Sequence, residues 1–129
     1  MSDVVLDASA VIALLRGEPG ADIVKAALKQ AHLGVINLGE VAQCLFRDGW
    51  SRAEIEETIE ALDVRVRAVR IDLVIAAAEI REVGRKYGLS QADCLCLALA
   101  RREAAVILTA DRVWLQVAEA VGVEVKLIR

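Results

Sequence analysis

Three short apolar runs constrain the fold of this chain most: Val4-Val5-Leu6, Leu33 to Ile36, and Ala105 to Leu108. None shows the polar alternation of a strand with one face in water, so each reads as a strand buried on both faces. Strands of that kind belong to parallel sheets, whose crossover helices cover both sides. The intervening segments have helical spacing. Ala8 to Arg16 reads as a helix broken by Gly17-Glu18-Pro19-Gly20, and Ala21 to Ala31 as a second. Further helices are expected from Asn37 to Arg47, from Ser51 to Leu62, from Asp72 to Tyr87 before Gly88, from Ser90 to Arg102, and from Asp111 to Val121 before Gly122. Val64 to Val69 opens with Val64, Val66 and Ala68 alternating with Arg65 and Arg67, which predicts a half-exposed edge strand. Val123 to Ile128 is expected as the last strand. The expected architecture is α/β, a parallel sheet of four or five strands covered on both sides, with residues 1–129 forming one domain.

Composition excludes several classes. The chain is 57% apolar, enough to build a core, so disorder is ruled out as a description of the whole. Aromatic residues are only 3%, so Ala, Val, Leu and Ile must fill that core. The longest apolar runs, Leu73–Ala78 and Cys94–Ala100, fall far short of the roughly 18 residues of a membrane span. No basic region precedes an apolar stretch at the N-terminus, so no signal peptide is expected. Cys94 and Cys96 lack zinc-ligand spacing; with Cys44 they read as buried, reduced thiols of a cytoplasmic protein. The net charge is −3, which argues against a strong non-specific nucleic-acid binder. Setting four carboxylates aside as metal ligands turns that charge to +1, so a polyanionic substrate is not excluded.

Right-handed crossovers bring the C-terminal ends of all strands, and the helix starts that follow, to one edge of the sheet, where ligands bind. Four acids fall there. Asp7 ends the first strand, Glu40 and Asp93 sit in the first turns of their helices, and Asp111 follows the third apolar run. Each alone fits a structural role. Asp7 and Asp111 are good N-cap residues, and Asn37 with Glu40 and Ser90 with Asp93 have capping-box spacing. Together they are harder to explain as caps. Asp93 is followed by seven apolar residues, and Asp7 lies against a strand without a polar face. Carboxylates gathered in such a place repel one another, and a hard divalent cation such as Mg²⁺ relieves that repulsion. A cation so held can activate water and stabilise a phosphodiester transition state.

Val5-Leu6-Asp7-Ala8-Ser9-Ala10, Glu18-Pro19-Gly20, Asn37-Leu38-Gly39-Glu40-Val41, Gly88-Leu89-Ser90-Gln91-Ala92-Asp93-Cys94 and Leu108-Thr109-Ala110-Asp111-Arg112 occur in that order along almost the whole chain. In these pieces the sequence resembles the PIN-domain family, and within it the VapC-like toxins of toxin–antitoxin pairs. The resemblance implies a three-layer α/β/α sandwich, endoribonuclease activity dependent on Mg²⁺ or Mn²⁺, a homodimer, and a cognate antitoxin that masks the site. The family's acidic quartet falls on Asp7, Glu40, Asp93 and Asp111, with no acid missing. Ser9 and Thr109 match the small hydroxyl residues beside the acids. Within that quartet we expect Asp7 and Asp93 to be the direct metal ligands, with Glu40 and Asp111 completing the site directly or through water.

Other constellations are weaker. His32 is the sole histidine, no nucleophile motif surrounds it, and it reads as a surface or hydrogen-bonded residue. No glycine-rich phosphate loop occurs. Arg112, Arg47 and Arg52 are candidate contacts to RNA phosphates, against the plainer reading of solvated arginines. Two other functions compete: a PIN-type RNA-processing nuclease without an antitoxin, and a non-catalytic module that binds a peptide in the same cleft. A small reading frame abutting this gene upstream favours the toxin, and a metal titration separates enzyme from binding module.

Overall fold

The computed structural model describes residues 2–129. The strands are β1 (Val4–Leu6), β2 (Ala31–Gly34), β3 (Arg65–Arg67), β4 (Val106–Thr109) and β5 (Val125–Leu127). The helices are α1 (Ala8–Arg16), α2 (Ala21–Ala27), α3 (Val35–Arg47), α4 (Arg52–Ala61), α5 (Ile71–Gly84), α6 (Gln91–Glu103) and α7 (Trp114–Val121). All strand pairs are parallel, in the order β3-β2-β1-β4-β5. Among the described residues no helix is long and apolar enough to cross a membrane.

Successive strand residues serve opposite layers, as the two-residue side-chain period requires. Val5 and Ile107 pack with α5, α6 and α7, whereas Leu6, Leu33 and Leu108 pack with α1 to α4. Both strand faces are therefore buried, which is why these strands carry no polar face. Each fully buried Leu or Ile contributes about 1.5–3 kcal/mol of transfer free energy. Helix α6 contacts β1, β2 and β4 as well as α3 and α5, so all seven residues from Cys94 to Ala100 are buried. The three cysteines are free.

The expected parallel sheet is present with five strands and β3 at its edge, but the expected alternation is not: Val66 is exposed and Arg67 is the more covered residue, held by Glu103 and His32. Several boundaries differ; the helix expected to run to Tyr87 ends at Gly84, with a 3₁₀ turn over Arg85–Tyr87. The second helix ends at Ala27 and a 3₁₀ turn over Leu28–Gln30 follows, so Ala31 begins a strand instead of closing a helix. Strand β2 ends at Gly34, and α3 begins at Val35, not Asn37. Val35 and Ile36 are β-branched and look like strand, yet they are exposed at the helix start, beyond the sheet's covered edge. Helix α7 begins at Trp114, not Asp111, with a turn between β4 and it.

The chain builds outward from β1 to β2 and β3, then crosses to β4 and β5 on the other flank. The reversal lies between β1 and β4. In open parallel sheets the crevice outside the carboxyl ends of the two strands at such a reversal is where ligands bind.

Candidate active site

Asp7 emerges from β1 directly at that crevice and is only 5% exposed. It caps α1, with Oδ1 accepting from the Ala10 backbone N–H at 2.9 Å. The Ser9 hydroxyl donates to Oδ1 at 2.7 Å, and the Thr109 hydroxyl, at the end of β4, donates to Oδ2 at 2.5 Å. The hydroxyls accept in turn: Ser9 from the Ala110 N–H at 2.9 Å and Thr109 from the Asp111 N–H at 3.0 Å. A hydroxyl has one proton. With both protons committed to Asp7, the 3.3 Å contact between Ser9 and Thr109 carries none. The turns after β1 and β4 are thus sewn together around one carboxylate. Burial pushes the Asp7 carboxyl up to about 6, the three donors pull it down, and the negative charge of Asp93 raises it further.

Asp93 is held by a complete capping box at the start of α6. The Ser90 hydroxyl accepts from the Asp93 N–H at 3.1 Å, and Asp93 Oδ2 accepts from the Ser90 N–H at 2.9 Å. Glu40 is placed differently. Because α3 starts at Val35, Glu40 lies in its second turn, and Asn37 and Glu40 do not form a capping box. Instead the Asn37 amide donates to Glu40 Oε1 at 3.1 Å and to the Ala92 carbonyl of α6 at 3.2 Å. Asn37 is 2% exposed, and a Cβ on Gly34 would stand 2.8 Å from its Oδ1, so glycine at 34 makes room for this amide. Burial raises the Glu40 carboxyl, the Asn37 amide lowers it, and Asp93 raises it. The buried Cys96 thiol, pushed well up by burial, also lies in the fields of Asp7, Asp93 and Glu40. These three acids therefore form one electrostatic cluster, with Asp7 and Asp93 at the starts of α1 and α6, where helix dipoles favour anions.

Asp111 joins the cluster through its backbone, by the N–H to Thr109. Its exposed side chain accepts from the Val113 N–H at 3.0 Å and caps the turn before α7. Arg112 is exposed beside it. Arg47 lies at the opposite end of α3 from Glu40, about 10 Å along the axis at 1.5 Å per residue. Arg52, at the start of α4, is paired with Glu56. The structure does not bring these last two arginines to the acids. One residue of the crevice and one of the neighbouring α5 face escape a reading of the sequence. Asn37 fits a helix-opening role equally well until the helix start is known, and Arg81 of α5 has no local motif.

Among the described residues, no three His, Cys, Asp or Glu side chains stand close enough to hold a metal ion as they are. The donor set nevertheless suits a hard dication in kind: every donor is a carboxylate oxygen, and the acids repel one another. Mg²⁺ keeps several waters and takes one or two carboxylates directly, so it does not require three protein ligands.

The PIN domain family model matches residues 4–120. The chain belongs to the PIN domain family. No curated protein sequence matches it. Among solved structures, the fold is similar to a toxin-antitoxin complex from Klebsiella pneumoniae, with 19% identity, 87% of this chain and 90% of that chain covered, and a TM-score of 0.70. It is also similar to DNA-bound VapBC from Salmonella typhimurium, with 15% identity, both chains covered fully and a TM-score of 0.71. VapBC-1 from nontypeable Haemophilus influenzae gives 18% identity, 97% of each chain and a TM-score of 0.68. At these identities the likeness is one of fold, and this PIN chain shares it over nearly its whole length.

Proposed function

We propose that this PIN protein is a Mg²⁺- or Mn²⁺-dependent endoribonuclease, the toxin of a VapBC-like toxin–antitoxin pair. One observation carries the reading: Asp7, Glu40 and Asp93 converge at the sheet's reversal point, where the buried Asp7 carboxyl is raised to about 6. A protein that needed only helix caps would gain nothing by putting Asp7 and Glu40 in the field of Asp93. PIN domains as a class are nucleases, and the fold is that of chains found in toxin–antitoxin complexes.

Asp7 and Asp93 would hold the ion, and Glu40 and Asp111 would complete the site, directly or through water. When bound, the ion supplies Lewis acidity at the scissile phosphate and a lowered pKa for water. Ser9 and Thr109 hold Asp7 in one orientation and keep both of its oxygens hydrogen-bonded. Asn37 fixes Glu40. Glu40, whose carboxyl burial raises, would accept a proton from the attacking water and orient it. Hydrolysis then breaks one phosphodiester bond, and a proton passes to the departing oxygen from solvent or a protonated acid.

The partners follow the same reading: RNA as substrate, an antitoxin segment across the acid crevice, and a second copy of this chain. The amphipathic helix α4 does not supply the surface for that copy, because Ile55 is buried and Ile59 packs inward against the chain's own core. The most exposed apolar residues are Ile71 at 80% and Ile75 at 65% on α5, and Val35, Ile36 and Phe46 of α3 are exposed as well. Incubating the purified protein with single-stranded RNA in Mg²⁺, Mn²⁺ or chelator tests the enzyme. Internal cleavage with either ion and none in chelator is expected; equal cleavage in chelator, or none at all, contradicts it. Growth arrest on expression, relieved by co-expressing the product of an abutting upstream gene, tests the toxin role. Normal growth with an active nuclease would favour an RNA-processing role.

A further inference from the structure

Between α5 and α6 lies an open cavity of about 270 Å³, lined by Ala77, Ala78, Arg81, Glu82, Gln91 and Cys94. Gln91 and Cys94 lie one turn apart on α6, and Asp93 immediately precedes Cys94. At 100° per residue the cavity opens one step round the helix from the acids, roughly 10 Å away on a helix of about 10–12 Å diameter. Arg81 lines the same cavity as Cys94, the residue that follows Asp93. Glu82 is neutralised by Arg85 at 2.9 Å. Arg81 has no ion pair among the described residues, although other arginines of this layer do, such as Arg101 with Glu79 and Arg102 with Asp72.

The acid centre alone repels a polyanion, so a substrate phosphate needs a cation close by. A guanidinium provides a fork that fits phosphate oxygens and a plane on which bases stack. Next to it, buried Ala77 and Cys94 form an apolar floor, and the exposed Gln91 amide offers a donor and an acceptor. We propose that this cleft is a nucleotide subsite of the acid centre, in which Arg81 contacts a backbone phosphate and Gln91 the edge of an unpaired RNA base. The proposal rests on the ribonuclease reading above and adds where the chain flanking the scissile bond lies and what reads it.

The test uses the full chain and a labelled single-stranded RNA oligonucleotide. Binding is measured by anisotropy in chelator across a range of salt, and cleavage kinetics in Mg²⁺. For Arg81→Gln, Kd is expected to rise about tenfold and the slope of log K against log salt to shrink by about 0.7, one phosphate contact on a single strand. KM should rise with kcat changed less than about twofold. Arg81→Lys should recover the slope and only part of the affinity. Gln91→Ala should keep the slope and flatten preference among oligonucleotides that differ in one base. Unaltered melting shows that the variants fold. Wild-type Kd, slope and KM in Arg81→Gln overturn the subsite while leaving the nuclease intact. If wild type binds RNA but cleaves none with Mg²⁺ or Mn²⁺, the ribonuclease reading fails, and the binding arm alone decides the subsite: an Arg81-dependent slope supports it, and an Arg81-independent one overturns it. No RNA binding by wild type overturns both.

Discussion

At Asp7, three donors favour the charged carboxylate and burial opposes it; burial dominates, and the pKa stands at about 6. The unfolded chain binds that proton with a pKa near 3.8, so between these values the native state holds more protons than the unfolded one. Stability from neutral Asp7 is therefore full below about pH 3.8 and lost as pH rises through about 6. Metal-free protein should lose stability across that upper limb, and chemical denaturation at pH 5 and pH 8 in chelator checks it. Asp7→Asn should flatten the limb and raise stability at pH 8 by about 1–3 kcal/mol. An Asn amide can donate to Thr109, whose own proton then turns to Ser9 across the existing 3.3 Å contact. Asn37→Ala acts on a different acid. It removes two bonds of a buried amide, so stability should fall by about 1–2 kcal/mol. Glu40 loses the donor that favours its charged form, so the acid limb of the cleavage–pH profile should move to higher pH. An unmoved limb with lowered stability would make Asn37 a packing residue only.

At the scale of elements, β3 is three residues long and lies at the sheet edge. Charged Arg65 and Arg67 blunt that edge against pairing with other chains. Arg67 donates to His32 Nδ1 at 2.9 Å and pairs with Glu103 at 2.7 Å, while His32 Nε2 meets Asp3 at 2.9 Å. Arginine has no acceptor, so Nδ1 must accept and Nε2 must carry the proton toward Asp3. A tautomer-sensitive NMR correlation of His32 should show the Nε2–H form. His32→Ala should speed amide exchange in β3 far more than in β1; equal effects would deny the tie between β2 and β3. This network was not legible in the sequence, because its partners lie 29 and 35 positions from His32. What was legible is local. Ser90 and Asp93 announce a capping box three residues apart, and the unalternating strands announce a doubly covered sheet. Glu40 was legible as an acid at the right edge, but not its mode of support. The start of α3 is set by how Gly34 and Asn37 fit against α6, and Val35 and Ile36 carry a strand preference that tertiary placement overrides.

For the molecule as a whole, the reversal between β1 and β4 gathers Asp7, Glu40 and Asp93 into one crevice, which by the proposed function hydrolyses RNA with a dication. Bound ion should stabilise the fold by about 2.7 kcal/mol at a hundredfold excess over Kd, a gain absent from Asp7→Asn. Melting with and without Mg²⁺ reads this directly, and an equal gain in both proteins would place the ion elsewhere. The most direct test compares Asp93→Asn and Glu40→Gln with wild type on the same preparations, melting in chelator and RNA cleavage in Mg²⁺. The Asn oxygen still accepts from the Ser90 N–H, and the Gln oxygen from the Asn37 amide, so the helix starts persist while the charge is gone. Melting in chelator should stay the same or rise, because repulsion within the cluster falls. Cleavage should drop by about 100-fold or more, beyond the 10–100-fold typical of losing a residue behind the metal ligands. Full cleavage by Asp93→Asn would contradict the account, and a lowered melting temperature beside it would mean that Asp93 is a helix cap and nothing else.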